Sequence, residues 1–302
     1  MPTPRVLVSN IMMLKEKDRF DAEIRDLGYE PVWADVTQFL DEAACLEQVG
    51  EIDGWLAGDD QITRRVLEAA LPRLKVIAKW GTGTDSIDKA AAQELGVPVL
   101  NSPGAFADAV AECAIGMILM LTRHLRSIDS AIRAGAWPKP QGMELRGATL
   151  GMIGYGAIGR RIGALGEAFG MNVLFHDPFV EGSRSPQDVA AEADILCLAC
   201  ALTPENHHLV DEALIGRMKP SAFVVNVARG PLVDEAALAE ALRAGRIAGA
   251  GLDVFEQEPL PGDSPLREME NVVLSSHNAN NGYRAVEAVH ENTLRNLSEV
   301  LG

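Results

Sequence analysis

The sequence predicts an α/β protein of two domains, each built around a doubly wound parallel sheet. Short apolar runs rich in β-branched residues alternate with helical stretches along most of the chain, which is typical of βα units. The alternation stops at the turn-forming residues 101–104 and resumes at residue 148. A chain of 302 residues is also long enough to form two hydrophobic cores.

The first series of βα units covers roughly the first hundred residues. Its predicted strands are residues 6–8, 31–33, 54–57 and 76–78, and its predicted helices are 16–27, 38–47, 63–70 and 89–95. A long apolar helix over residues 105–125 follows the turn-forming cluster.

The second series contains six predicted strands, enough for one complete doubly wound unit. The strands are residues 150–153, 172–175, 195–198, 223–227, 249–252 and 272–274, with helices at 157–169, 188–192, 213–218 and 235–244. A final helix, 284–300, lies beyond this unit, and we expect it to pack on the first domain.

The charge and the apolar pattern exclude two classes of partner. The 27 basic and 43 acidic residues give a formal net charge of −16, and no run of Lys or Arg could follow a phosphate backbone, so no nucleic acid is expected. The longest apolar stretch, residues 113–121, is shorter than the roughly 18–20 residues that span a bilayer. Without a signal-peptide pattern at the N-terminus, we expect a cytoplasmic protein that does not enter membranes.

The four cysteines indicate neither a disulfide framework nor a metal site. Cys45 and Cys113 are isolated, while Cys197 and Cys200 have the C-x-x-C spacing but end an apolar run that predicts a buried strand. Residues three apart in a strand point to opposite faces, so these two thiols are predicted to be small core side chains.

A glycine-rich loop lies between the first strand and the first helix of the second series. Gly154, Gly156 and Gly159 fit the pattern G-x-G-x-x-G, in which the backbone approaches a pyrophosphate at a helix N-terminus. Asp177 ends the next strand at about the 20-residue distance expected of an acid that binds ribose hydroxyls. Its charge would repel a 2′-phosphate, which favours NAD over NADP; if Arg160 or Arg161 lay over the ribose, it could accommodate that phosphate.

Three further polar residues follow predicted strands of the second series. Arg229, Glu258 and His277 come after the strands 223–227, 249–252 and 272–274, and ligands of open parallel sheets bind beyond the carboxyl ends of the strands. A histidine beside a carboxylate can move the proton of a hydroxyl, and an arginine can bind a carboxylate and a developing oxyanion. Taken singly, an arginine such as Arg229 before a glycine is more often an ordinary turn residue, and an acid such as Glu258 before a proline is more often a solvated loop residue.

Together these segments resemble the D-isomer-specific 2-hydroxyacid dehydrogenase family, which includes 3-phosphoglycerate and glyoxylate-hydroxypyruvate dehydrogenases. The matching segments are residues 154–159 with Asp177, then 226–234, 251–259 and 275–279. The resemblance implies a Rossmann cofactor domain, residues 102–280. It also implies a flavodoxin-like substrate domain that is split between residues 1–101 and 281–302, with the active site in the cleft between the domains and a homodimer formed through the cofactor domain.

The resemblance also implies roles for individual residues. Arg229 would bind the carboxylate and carbonyl oxygen of a small 2-hydroxy or 2-oxo acid, His277 would donate the proton in reduction, and Glu258 would be its partner. The cofactor-binding residues would be Gly154, Tyr155, Gly156, Ala157, Ile158, Gly159, Asp177, Cys200, Val227 and Asp253. The substrate-binding residues would be Lys79, Trp80, Thr82, Gly83 and Asn278, with main-chain N–H groups of the loop at Thr82 and Gly83 holding the carboxylate.

Some features depart from relatives or leave alternatives open. Residues 56–58 contain no Arg, although the branch that acts on 3-phosphoglycerate commonly has one there. Asn278 and Asn280 either contact a polar substrate tail together with Trp80 or cap the final helix. Glu258 favours alcohol and ketone chemistry, because related formate dehydrogenases carry Gln at that position. A corepressor-like protein that binds NADH on the same fold is the alternative to an enzyme.

Overall fold

The computed structural model describes residues 2–302, which form two compact units. Unit 1 comprises Met1–Phe106 and Tyr283–Gly302, and unit 2 comprises Ala107–Gly282. Each unit contains one parallel β-sheet with helices, which confirms the predicted fold class. The assignment of residues 102–280 to the cofactor and of the remainder to the substrate stays a prediction. Within residues 2–302, no helix combines the length and apolar character needed to cross a bilayer.

Unit 1 has a five-stranded sheet in the order β2-β1-β3-β4-β5, and every neighbouring pair is parallel. The strand order changes direction between β1 and β3, which creates a crevice at the carboxyl ends of these strands. The elements of this unit are β1 (Arg5–Val8), α1 (Ile11–Lys15), α2 (Lys17–Asp26), β2 (Glu30–Trp33), α3 (Glu42–Gln48), β3 (Gly54–Ala57), α4 (Arg64–Ala70), β4 (Val76–Lys79), α5 (Lys89–Glu94), β5 (Val99–Leu100) and, at the end of the chain, α12 (Tyr283–Leu301).

Helix α12 packs against β3 and β4 of unit 1. Gly54 permits the close approach, because a Cβ atom there would lie 2.7 Å from the Leu297 Cδ1 atom. The last helix of the chain therefore covers the sheet formed by the first hundred residues.

Unit 2 has a six-stranded parallel sheet in the order β11-β10-β9-β8-β6-β7, as the six apolar runs predict. Central strands such as β8 and β9 are buried along their whole length, which explains why they appear in the sequence as continuous apolar runs. Its elements are α6 (Ala107–Thr122), α7 (Leu125–Arg133), β6 (Thr149–Ile153), α8 (Ala157–Ala168), β7 (Asn172–His176), α9 (Pro186–Glu192), β8 (Ile195–Leu198), α10 (Glu212–Ile215), β9 (Phe223–Asn226), α11 (Glu235–Arg243), β10 (Gly249–Leu252) and β11 (Val272–Leu274).

The single helix predicted over residues 105–125 is wrong at its C-terminal end. Helix α6 ends at Thr122, and α7 begins at Leu125. Between them His124 adopts a left-handed conformation, φ 55°, which ends a right-handed helix. Periodicity did not reveal this break because Leu121 and Leu125 keep the spacing of one apolar helix face across it, yet α7 has no buried side chain.

His290 on α12 forms a buried polar contact with Trp80. The Trp80 indole N–H donates to His290 Nδ1 at 3.1 Å, so in the neutral ring Nε2 carries the hydrogen. Glu16 and Glu287 lie close enough to suggest a metal site. However, protonated Nε2 cannot be a ligand, and Arg19 already binds both carboxylates.

Acid should destabilise the protein through His290. Burial lowers the pKa of this imidazole below its ordinary value. The unfolded chain therefore takes up the proton first, and the free energy of unfolding should decrease as the pH falls below about 6.5. His290→Asn keeps an acceptor for Trp80 but does not titrate. We expect the Tm of this variant to fall less than that of the wild type between about pH 7 and pH 5. Equal decreases in Tm for the two proteins would show that His290 does not cause the loss of stability in acid.

Candidate active site

Arg229, Glu258 and His277 lie after three neighbouring strands of unit 2. They follow β9, β10 and β11 respectively, and these strands are adjacent and parallel. Their carboxyl ends therefore share one edge of the sheet, which is where ligands of open α/β sheets bind. The three residues are all half-buried, as expected for groups that must reach a small molecule.

His277 and Glu258 form a hydrogen-bonded pair. His277 Nδ1 lies 2.8 Å from Glu258 Oε2, while Glu258 Oε1 accepts the Phe255 N–H at 3.0 Å. Because the carboxylate accepts the hydrogen from Nδ1, the ring atom that can exchange a proton with a bound molecule is Nε2. This arrangement is that of an acid-base histidine oriented by a carboxylate.

Asp253 fixes the loop that carries His277. This buried carboxylate accepts the N–H of Asn278 at 2.8 Å and that of Ala279 at 3.0 Å, and its main-chain oxygen accepts the His277 N–H at 2.7 Å. His277 itself has φ 55°, a left-handed conformation that costs energy in a non-glycine residue. Asp253 therefore holds a strained histidine in place, a role that the sequence did not suggest; its contact with the nicotinamide stays a prediction.

The loop of Arg229 packs directly on the loop of Glu258. Asn226 closes the Arg229 turn: its side-chain N–H donates to the Arg229 main-chain oxygen at 2.8 Å. A Cβ atom on Gly230 would lie 1.9 Å from the Phe255 carbonyl, so only glycine permits this contact. Since the Phe255 N–H binds Glu258, the packing links the arginine loop to the acid-base pair.

The glycine-rich loop connects β6 to α8, as the pattern predicts. Gly154 has φ +93°, and a Cβ atom there would lie 2.6 Å from the Cys200 main-chain nitrogen. A Cβ atom on Gly159 would lie 2.1 Å from the Gly154 oxygen. Gly156 differs, because no protein atom lies within 4 Å of the place where its Cβ would be. It also precedes α8 without a side-chain cap, so the helix N-terminus is open to an anion.

Asp177 lies directly after β7 and next to the glycine-rich loop. Its Oδ2 accepts the Tyr155 N–H at 2.8 Å, and its Oδ1 accepts the Phe179 N–H at 3.0 Å. The open helix end, the uncrowded Gly156 and this carboxylate together fit a dinucleotide.

The remaining cofactor candidates and the two arginines of α8 also have defined positions. Ala157 is exposed, Ile158 and Cys200 are half-buried and Val227 is buried. The Arg160 guanidinium lies 5.1 Å from the centre of the Tyr155 ring, and Arg161 pairs with Asp108 at 2.5 Å.

The predicted substrate loop is in unit 1, after β4. Lys79 is buried, and its ammonium group donates to the Trp80 main-chain oxygen at 2.8 Å. Asn101 donates to the Thr82 main-chain oxygen at 2.6 Å, which fixes the turn that continues into Gly83. The Trp80 indole N–H points at His290 rather than outward, so in this arrangement only its ring is left for the predicted contact with substrate.

Asn278 is exposed in the segment that follows β11 and precedes α12. Its side-chain oxygen accepts the Asn281 side-chain N–H at 2.8 Å, so the amides bind each other within a turn. Contact between Asn278 and substrate stays a prediction.

Two glycine substitutions should separate cofactor binding from folding. We expect Gly156→Ala to leave the Tm near that of the wild type, because its Cβ meets no protein atom. The same Cβ would occupy the space that a pyrophosphate needs, so the Kd for NADH should rise by about ten-fold or more. Gly159→Ala should instead lower the Tm. Calorimetry and NADH fluorescence titration measure both effects, and unchanged NADH binding by Gly156→Ala would contradict the assignment of the loop.

Comparisons with known proteins agree with this geometry. The family model described as D-isomer specific 2-hydroxyacid dehydrogenase, NAD binding domain, matches residues 115–279. A glyoxylate reductase from Thermofilum pendens is 40% identical over 259 residues, which cover 80% of this chain and 76% of that protein. A D-3-phosphoglycerate dehydrogenase from Synechocystis sp. is 34% identical over 291 residues, 91% of this chain but only 52% of that protein.

A solved structure is similar over nearly the whole length. The D-lactate dehydrogenase from Aquifex aeolicus, crystallised with NAD and lactic acid, superposes with a TM-score of 0.85 at 27% identity, covering 96% of this chain and 93% of its own. The segment matched by the family model contains the glycine-rich loop, Arg229, Glu258 and His277. These matches confirm the resemblance seen in the sequence, and the chain belongs to the D-isomer specific 2-hydroxyacid dehydrogenase family.

Proposed function

We propose that this protein transfers a hydride between NAD(H) and C2 of a small D-2-hydroxy acid or the corresponding 2-oxo acid. The observation that carries the proposal is the 2.8 Å contact between His277 and Glu258, at the sheet edge that also presents Arg229. Hydride transfer to a carbonyl needs a proton donor for the oxygen and a cation that stabilises its developing charge. These three residues supply both.

Each residue has a distinct task in reduction. Arg229 holds the carboxylate of the 2-oxo acid with its planar guanidinium and polarises the carbonyl oxygen. His277 Nε2 donates a proton to that oxygen, and Glu258 stabilises the imidazolium form beforehand and keeps the ring oriented. When bound, the nicotinamide supplies the hydride. The reverse steps oxidise the hydroxy acid, with His277 accepting the proton.

We assign residues 1–101 and 281–302 to substrate binding and residues 102–280 to cofactor binding. The loop around Thr82 and Gly83 would hold the substrate carboxylate with main-chain N–H groups. The further substrate contacts would come from Lys79, Trp80 and Asn278. The cofactor contacts would come from Gly154, Tyr155, Gly156, Ala157, Ile158, Gly159, Asp177, Cys200, Val227 and Asp253.

NAD rather than NADP is the proposed cofactor. Support comes from Asp177, whose carboxylate is already fixed by two main-chain N–H groups and would repel a 2′-phosphate. Arg161 is held by Asp108, and Arg160 lies against the Tyr155 ring. Neither side chain is thus arranged as a phosphate ligand beside Asp177.

An NADH-binding corepressor on the same fold is the competing function. A binding protein has no need for a histidine held in a strained conformation beside a carboxylate, and the relatives compared above are named as dehydrogenases and reductases. The decisive experiment follows the loss of NADH absorbance with glyoxylate, hydroxypyruvate and pyruvate. Turnover of at least one acid supports the enzyme; tight NADH binding without turnover of any acid would support the corepressor.

The protein is proposed to act as a cytoplasmic homodimer. Four free, dispersed cysteines suit a reducing compartment. Helix α7 and the segment after it expose apolar side chains that a second copy could cover: Leu125, Ile132 and Trp137, the last being 76% exposed.

The dimer proposal makes a direct prediction about mass in solution. Light scattering should give twice the chain mass of 32.4 kDa for the wild type. Ile132→Glu, which puts a charge on the α7 face, should shift the population to monomer. Val300→Glu changes an exposed apolar residue of unit 1 and should leave the mass unchanged. A monomeric wild type would contradict the proposal.

A further inference from the structure

Glu256 joins the loop that carries Glu258 to the start of helix α11. It lies two residues before Glu258, in the connection that follows β10. The Glu256 N–H donates to Glu235 Oε1 at 2.5 Å, and the Glu235 N–H donates to Glu256 Oε1 at 3.2 Å. Glu235 is the first residue of α11, where main-chain N–H groups have no partner within the helix. The Glu256 carboxylate supplies a partner, and its charge is favourable at this end of a helix.

His208 is a second anchor of the same carboxylate. Its Nε2 lies 2.8 Å from Glu256 Oε1, and because a carboxylate only accepts hydrogen bonds, Nε2 carries the hydrogen. The His208 main chain has φ 53°, and its N–H donates to the Pro231 oxygen at 2.8 Å. A left-handed conformation costs energy in a non-glycine residue, so the surrounding contacts must hold this histidine. Since Pro231 belongs to the loop of Arg229, the arginine loop and the loop of Glu256 share this support.

The loop of Glu258 also has to withstand repulsion between carboxylates. Burial raises the pKa of Glu235, the hydrogen bond from the Glu256 N–H lowers it in part, and the charges of Glu256 and Glu258 raise it again. The three acids are therefore close enough to repel one another. Asp234 adds a fourth acid nearby, with its Oδ2 atom 4.0 Å from His208 Nδ1. The hydrogen bonds to Glu256 oppose the separation that this repulsion favours.

We propose that Glu256 is a positioning residue that fixes Glu258 against His277. The inference rests on the proposed function, and Glu256 acts through Glu258 rather than on the substrate. Glu258 Oε2 lies 2.8 Å from His277 Nδ1, while its Oε1 accepts the N–H of Phe255, the neighbour of Glu256. A displacement of this loop would separate the carboxylate from the imidazole, and misplacement by about 1 Å can lower a rate by about 10²-fold.

The first test asks whether Glu256 acts through Glu258. Glu256→Ala removes the acceptor of both anchors and should lower kcat for 2-oxo acid reduction by about ten-fold or more, with little change in KM. In a Glu258→Ala background no carboxylate remains to be positioned, so the same substitution should lower kcat by less than about two-fold. An equal loss in the two backgrounds, or wild-type kcat in Glu256→Ala, would overturn the inference.

The second test separates the hydrogen bonds of Glu256 from its charge. Glu256→Gln keeps an oxygen that accepts from His208 and Glu235, so it should retain most of the wild-type kcat. A loss as large as that of Glu256→Ala would assign the effect to charge and overturn the positioning role.

A pair of His208 variants decides the question independently if Glu256→Ala does not fold. His208→Asn tolerates the left-handed conformation, but its amide lies near the position of Nδ1 and does not reach Glu256, so kcat should fall. The amide of His208→Gln extends to the position of Nε2 and should restore part of kcat. Equal kcat values in the two variants would overturn the inference.

Glu240→Ala is the matched control. Glu240 is an exposed glutamate of the same helix, and its carboxylate pairs with Arg243 at 2.7 Å. This substitution should leave kcat unchanged, and fluorescence titration should give the wild-type Kd for NADH in every variant. An active wild type with an unresponsive Glu256→Ala would overturn this inference alone. A wild type that reduces no 2-oxo acid would overturn the proposed function, and the inference with it.

Discussion

Replacement of His277 by alanine should lower kcat for 2-oxo acid reduction by about 10²–10⁴-fold, the usual contribution of a positioned general acid. The structure gives the reason: Nδ1 is held by Glu258 at 2.8 Å, which leaves Nε2 as the proton donor. NADH should still bind, because the glycine-rich loop and Asp177 are unchanged. Stopped-flow kinetics and NADH fluorescence titration measure the two effects separately.

The matched control for this variant is His207→Ala, since His207 is exposed and its ring lies against that of a neighbouring histidine in unit 2. It should retain wild-type turnover. Glu258→Gln should retain part of the activity but lose it at a lower pH than the wild type, because a neutral amide stabilises imidazolium less than a carboxylate does. Wild-type turnover in His277→Ala would exclude this histidine as the acid.

Replacement of Arg229 by alanine should lower kcat/KM by about 10²–10³-fold or more, because one side chain is proposed to bind the carboxylate and to stabilise the oxyanion. KM should rise because the contact with the carboxylate already exists in the ground state. Turnover, kcat, should fall because the contact with the oxyanion strengthens in the transition state. Arg229→Lys should recover little, because an ammonium group lacks the planar fork that binds a carboxylate through two parallel hydrogen bonds.

Arg217→Ala is the control, since Arg217 is an exposed arginine of the same unit that follows α10. It should leave both kinetic constants at wild-type values. If Arg229→Ala raised KM alone, the arginine would bind substrate without acting on the carbonyl oxygen, and that part of the mechanism would be wrong.

Strands and helices could be predicted from the sequence wherever an apolar run was long enough to show the periodicity of a strand or a helix. All six strands of unit 2 were predicted, because each contains a short apolar run bounded by polar or turn-forming residues. Strand β5 was missed because it has only two residues. The break between α6 and α7 was missed because it depends on the left-handed conformation of His124, which no periodicity encodes.

For the candidate site, the sequence indicated the residues but not the contacts between them. The glycine-rich loop and Asp177 follow a strand-loop-helix-strand order that sequence displays directly. Arg229, Glu258 and His277 could be chosen because each follows a strand, but only the tertiary structure shows the hydrogen bond between Glu258 and His277.

Two contacts of predicted site residues had no signal in the sequence. These are the anchoring of the histidine loop by Asp253 and the pairing of Lys79 with Asp59. Each joins residues about 20 or more positions apart, and the acids look like ordinary loop residues in isolation.

Transfer of deuterium tests the proposed chemistry most directly. The wild type would be incubated with hydroxypyruvate and NADH that carries deuterium at the transferable position of the nicotinamide, and the product analysed by chiral chromatography and mass spectrometry. We expect D-glycerate with one deuterium at C2, formed by the wild type and far more slowly by His277→Ala. If NADH binds but no deuterium reaches C2 of this or any other 2-oxo acid, or if the product is the L-isomer, the proposed reaction is contradicted.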